Sequence, residues 1–130
     1  MTKSEQEKRL LIMLAILELG GSATKRAVLD RIYSNEYADL TLRDLEVMAS
    51  RDEEVWRNDF AYVRKHLVEH GFLDGSEKDN WQITSKGTQY FLKLVRKVSA
   101  FPWPTKITKR GLAAAKNLES SLSEQLAADN

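Results

Sequence analysis

The 130 residues carry 20 Lys and Arg against 19 Asp and Glu, with 42% hydrophobic residues, a size that fits one folded domain and is too small for most multi-domain enzymes. A charged fraction of 30% among regularly spaced Leu, Ile, Val and aromatic residues excludes disorder except at the ends. The absence of Cys excludes disulfide frameworks, thiolate zinc sites and cysteine nucleophiles, and makes the cytoplasm the default compartment.

The first apolar run, residues 10–17, is eight residues long, well short of the roughly 20 that cross a bilayer. Lys8 and Arg9 precede it as in a secretory leader, but Glu5, Glu7 and Glu18 surround it and Gly20-Gly21 stops it. Residues 4–19 are therefore predicted to form a central buried helix, and no membrane partner is expected. Thr24 is placed to cap a second helix reaching about Ser34, with Val28, Leu29, Ile32 and Tyr33 on one face and Lys25 and Arg26 at its exposed start. Thr41 and Asp44 have the spacing of a weak capping box and predict a helix to about Arg51 that buries Leu42, Leu45 and Met48.

Asp52, Glu53 and Glu54 supply an acidic first turn to the clearest amphipathic helix in the chain, where Trp56, Phe60, Val63 and Leu67 recur at spacings of four, three and four. Gly71 ends it, folding Phe72 and Leu73 back onto the core. The polar stretch 74–80, then Trp81 and Ile83 alternating with Gln82 and Thr84, predicts a β-hairpin. Thr84 can cap a helix that buries Tyr90, Phe91, Leu94, Val95 and Val98, ended by the breaker Phe101-Pro102-Trp103-Pro104. Trp103 is expected to pin this linker to the domain, and Trp56 and Trp81 to lie in the core. The Ile-Thr-x-basic-Gly string at 83–87 returns at 107–111 and predicts a last helix over about 109–127, striped by Leu112, Ala115, Leu118, Leu122 and Leu126.

Three helices and a hairpin whose second strand feeds another helix make the fold class mostly α (α+β). The order is that of a winged helix-turn-helix with a β-hairpin wing and additional C-terminal helices, and it also fits an ordinary small α+β domain. The expected division is a winged-helix DNA-binding domain over 1–100 and a Pro-containing linker with a C-terminal helix over 101–130. That last helix is expected to pack on its own domain, to pair with a second copy as a homodimer, or to lead toward a downstream domain.

Four strings, taken in order, add a family. Leu17-Glu18-Leu19-Gly20-Gly21-Ser22-Ala23-Thr24-Lys25, Val55-Trp56-Arg57-Asn58, Leu67-Val68-Glu69-His70-Gly71-Phe72-Leu73 and Trp81-Gln82-Ile83-Thr84-Ser85-Lys86-Gly87 resemble the N-terminal domain of the Mrr family of restriction proteins, over roughly residues 8–97. The resemblance implies a winged-helix domain that binds double-stranded DNA and is coupled, in longer relatives, to a nuclease domain acting on modified foreign DNA. The PD-(D/E)xK nuclease of that family needs clustered carboxylates and a Lys, whereas residues 80–118 contain no Asp or Glu. The 130 residues are thus expected to be the DNA-reading part of a longer protein with a downstream nuclease, or a stand-alone binder, and not themselves an enzyme.

With the aromatic stripe turned inward, Arg57, Asn58, Ala61, Arg64 and Lys65 turn to the opposite side or its margins, and Tyr62 joins them. Arg57 and Arg64, seven residues apart, suit a forked contact with guanine O6/N7 or phosphate, Asn58 suits adenine N6/N7, and Lys65 a phosphate. Lys25 and Arg26 are candidate phosphate contacts, Lys78 and Asn80 would touch an adjacent groove or backbone, and Lys86 opens a cationic run. Eight cations and no acids lie between residues 80 and 118, against eight acids and three cations between 30 and 54. Asp59, Asp74, Glu77 and Asp79 would repel phosphate, so weak, salt-sensitive binding is expected.

His66-Leu67-Val68-Glu69-His70 matches the inverzincin string H-x-x-E-H, but no third ligand is evident and Leu67 belongs to the core stripe. No metal, cofactor or catalytic residue is expected. The main expectation is a DNA-binding module of a restriction or defence system that senses specific or modified duplexes. Its rivals are a protein-interaction or dimerisation module that has lost DNA contacts, and a stand-alone transcriptional regulator.

Overall fold

In the computed structural model, which describes residues 1–128, the elements run α1 (Lys3–Glu18), β1 (Ser22–Ala23), α2 (Lys25–Ser34), β2 (Val47–Met48), β3 (Glu53–Glu54), α3 (Val55–Glu69), β4 (Leu73–Asp74), β5 (Trp81–Ile83), α4 (Ser85–Ser99) and α5 (Lys109–Ala128). This is an α+β architecture with five helices among the described residues. Residues 10–16 of α1 are fully buried, and α1 packs against α2, α3, α4 and α5, which explains why its apolar residues fill more than one face. α3 sends Trp56, Phe60, Val63 and Leu67 into this core, as their spacing predicts. Full burial of side chains of this size is worth about 2 kcal/mol each. α4 adds Phe91, Leu94, Val95 and Val98, and α5 adds Ala115 with Leu112, Leu118 and Leu122 partly buried around it.

Capping follows the sequence closely. Thr24 Oγ1 accepts from the Ala27 N–H at 3.1 Å and Thr84 Oγ1 from the Gly87 N–H at 2.9 Å, each satisfying an N–H that the first helical turn leaves without a partner. The expected hairpin forms, with Leu73 opposite Ile83 and Asp74 opposite Gln82. Ser22 and Ala23, which carry no strand pattern of their own, pair with Gln82 and Trp81, so the sheet has three strands in the order β1-β5-β4.

Residues 41–51 do not form the expected helix. The Thr41–Asp44 capping box closes, with N–H donations of 2.9 and 3.1 Å in the two directions, but only one turn follows it. The chain then makes the β2–β3 hairpin, with Asp52 at φ 50°, and Leu42 is 88% exposed. The reason lies in α3. It has no side-chain cap, and its Val55 and Trp56 N–H groups donate instead to the Glu46 and Asp44 carbonyls, which demands a non-helical backbone at 44–46. The acids at 52–54 therefore precede α3 rather than form its first turn.

The linker between α4 and α5 is fixed from an unexpected direction. Glu7, fully buried in α1, accepts from the backbone N–H groups of Thr105, Lys106 and Ile107 at 3.0, 2.6 and 2.7 Å, and from the Thr105 hydroxyl at 3.1 Å. Lys106 extends from this clasp to Asp44 at 2.6 Å. Trp103, expected to pin the linker, is 78% exposed, because the two flanking prolines carry it outward while Ile107 takes the core position.

Candidate nucleic-acid interface

α3 lies between α2 on one side and the β4–β5 hairpin on the other. Tyr33 of α2 stacks on Trp56 with ring centroids 6.3 Å apart, and Gly75 of the hairpin turn rests on Val68, where a Cβ would come within 2.6 Å of Val68 Cγ1. The α3 stripe of residues 57, 61, 64 and 68 therefore lies between the two.

The sequence-predicted residues distribute unevenly around α3. Arg57 is bound by acids. Its Nη2 donates to Asp30 Oδ1 at 2.8 Å and its Nε to Glu54 Oε1 at 3.2 Å, while the guanidinium lies 4.8 Å from the Trp56 ring centroid. Lys25 is similarly engaged, its Nζ 2.7 Å from Glu53 Oε2. Its backbone N–H donates to Asp79 Oδ1 at 3.1 Å, tying the hairpin turn to the start of α2. Arg26, Lys65 and Lys78 are exposed and form no ion pair among the described residues.

Arg64 differs from all of these. Its guanidinium lies 5.6 Å from the centroid of the Trp81 ring, and its Nε and Nη2 are buried without a hydrogen-bond partner among the described residues. Burial alone, with no carboxylate to oppose it, draws the Arg64 pKa below the usual arginine value.

Asn58 and the 61% exposed Tyr62 face a shallow depression shared with Asp59 and with Thr2, Ser4, Glu5 and Lys8 around the start of α1. The Tyr62 ring meets the edge of His66 at 4.8 Å, and His66 Nδ1 is 2.9 Å from Glu5 Oε1. Burial raises the Glu5 carboxyl pKa, but the His66 hydrogen bond and the charges of Arg9 and His66 outweigh this and hold it below the ordinary value. Among the described residues no three His, Asp or Glu side chains gather as metal ligands. Asn80 donates to Gln82 at 3.2 Å. Lys86 donates to the His70 carbonyl at 2.9 Å and lies over the Phe72 ring at 5.3 Å, closing the far end of the hairpin.

The acids expected to repel phosphate have local partners. Asp74 accepts from the Ser76 N–H at 2.8 Å, a bond that holds its carboxyl below the usual value and keeps it charged. Asp79 caps α2, and Asp30, Glu53 and Glu54 neutralise Arg57 and Lys25. Sequence reasoning missed these pairings because their partners lie up to 54 residues away. Glu7, also missed, was more legible: it lies three and four residues before Leu10 and Leu11, on the buried face of a helix, where a carboxylate must find donors.

Fold and site together define a small α+β domain in which a helix carrying two arginines is flanked by a second helix and by a hairpin. A family model described as the Mrr N-terminal domain matches residues 7–93, and the chain belongs to that family. The matched residues correspond to the N-terminal domain of a family of restriction proteins. Searches of curated proteins and of solved structures returned no match to the chain. No helix among the described residues is long and apolar enough to cross a membrane.

Proposed function

We propose that this chain is a winged-helix DNA-binding module, the target-reading part of a restriction or defence system. In this reading α2 and α3 form the helix-turn-helix, α3 enters the major groove, and the turn at 75–80 is the wing. The sheet order β1-β5-β4, with α3 leading directly into the hairpin, supports that assignment. The observation that carries it is the stripe of α3 between α2 and the hairpin, on which Arg64, unlike Arg57, is tied to no carboxylate and has the exposed, unpaired Lys65 beside it, while Asn58 and Tyr62 stand toward the start of α1.

Phosphate attraction comes from the exposed Arg26, Lys65 and Lys78 and from the exposed Lys93, Lys97, Lys109 and Lys116 of α4 and α5. Lys25 and Arg57 contribute less, because a phosphate must first displace their acids. Titration of labelled plain and cytosine-methylated duplexes tests the reading. Binding should weaken steadily with salt, and an Arg64→Ala/Lys65→Ala variant should lose affinity by roughly tenfold or more. Failure of every duplex at low salt would overturn it in favour of a protein-interaction module. That second reading draws on the exposed apolar side chains Leu42, Val47 and Trp103.

A further inference from the structure

Arg57 and Arg64 share one stripe of α3, yet one is paired with two carboxylates and the other has no acceptor on its inner edge. Building on the DNA-binding reading above, we infer that Arg64 is the arginine with which α3 grips a duplex, and that it does so by leaving the Trp81 indole and donating Nε and Nη2 to a pair of acceptors on the nucleic acid.

Nε and Nη2 form one planar edge of the guanidinium, the edge that fits two acceptors side by side. This edge is buried with no protein acceptor within hydrogen-bond distance, near Trp81 and behind a hairpin whose Gly75 rests on Val68, one helical turn further along. A buried donor without an acceptor is unfavourable, so the resting position is held by the indole contact and by packing rather than by hydrogen bonds. Moving outward breaks no hydrogen bond and makes new ones. Arg57 has the opposite balance, since reaching a ligand would cost it both Asp30 and Glu54. Arg57 is accordingly a positioning residue that ties α3 to α2.

Paired acceptors exist on DNA in two places, the O6/N7 edge of guanine and the non-bridging oxygens of a phosphate. The test compares the wild-type chain, Arg64→Met, Arg64→Lys and Arg57→Met on a guanine-containing duplex and on an A·T-only duplex. The side-chain Nε–H resonance of Arg64 is followed by NMR in parallel. Arg64→Met should lose roughly tenfold or more in affinity with an undiminished melting temperature. Arg64→Lys should recover only part of this, having charge without the fork. Arg57→Met should lower the melting temperature while the folded fraction binds nearly as wild type does.

The Arg64 Nε–H signal should shift when duplex is added. Loss confined to the guanine-containing duplex assigns the base edge; equal loss on both, with the salt slope reduced by about one, assigns a phosphate. If wild type binds duplex while Arg64→Met binds equally well, or the Nε–H signal is unmoved in the complex, the inference falls and the DNA-binding reading stands. If wild type binds no duplex at low salt, the reading itself falls.

Discussion

Two parts of the molecule, far apart in sequence, are built on one plan. At the end of α3, Phe72 N–H returns to the Leu67 carbonyl at 2.9 Å through Gly71 at φ 77°, and Leu73 pairs with Ile83. The Thr84 N–H donates to the Phe72 carbonyl at 3.1 Å, and its hydroxyl donates to Gly71 and accepts from Gly87. At the end of α2, Tyr37 N–H returns to Ile32 at 3.0 Å through Glu36 at φ 56°, and Ala38 bridges Ile107. There the Thr108 N–H donates to the Tyr37 carbonyl at 3.0 Å, and its hydroxyl donates to Glu36 and accepts from Gly111. The repeated Ile-Thr-x-basic-Gly string thus codes a repeated clasp, a helix start pinned to the end of an earlier helix. The difference lies in what the clasps join. The first closes a short hairpin, whereas the second closes over most of the domain, and it needs Glu7 and the Asp44–Lys106 pair to hold it.

The strongest test of the equivalence is the glycine at each clasp. A Cβ on Gly87 would overlap the Phe72 carbonyl, and one on Gly111 would come within 2.5 Å of the Tyr37 carbonyl. Gly87→Ala should destabilise by about 3 kcal/mol and Gly111→Ala by about 2 kcal/mol in urea unfolding. Equal, negligible effects would break the parallel.

Glu7→Gln should cost about 2 kcal/mol, because it withdraws charge and one acceptor oxygen from a cluster of backbone N–H groups gathered on a fully buried side chain. Amide exchange should then accelerate at 105–107 and leave the α3 amides unchanged; acceleration throughout would mean that Glu7 supports the whole core instead.

A smaller effect separates the two left-handed positions. Glu36→Gly relieves a side chain of positive φ and should stabilise by roughly 0.5 kcal/mol, while Gly71→Ala should destabilise by about 1 kcal/mol. The smallest concerns acid. Burial raises the Asp44 pKa, but Lys106 and the Thr41 N–H outweigh it and leave the carboxyl below its ordinary value. A depressed folded pKa contributes stability above the unfolded value that is lost as the pH falls through the folded one. Below about pH 4 the second clasp should therefore weaken by ~0.5 kcal/mol relative to Asp44→Asn, with the first unaffected.

Much of this was legible from local pattern. Thr24 and Thr84 announced their helices through a hydroxyl three residues before a free N–H, and the Trp56–Leu67 stripe set the phase of α3 and hence which side Arg57 and Arg64 face. The segment at 41–51 was not legible, because its capping box is real and its failure to continue depends on N–H groups at 55 and 56 that take its carbonyls. Strand β1 was silent for a similar reason: two small residues become a strand only because Gln82 and Trp81 lie beside them.

Sequence alone determined the helices with a strong stripe and cap, the hairpin, the family, and the face on which the arginines of α3 stand. These are consequences of periodicity and of hydrogen bonds closed within a few residues. Tertiary structure decided which cation is paired with an acid. Arg57 meets Asp30 from α2 while Arg64 meets the Trp81 ring, and Glu7 meets N–H groups about a hundred positions away. The charge a side chain offers depends on the acids that folding brings to it, and at such separations no local spacing records them.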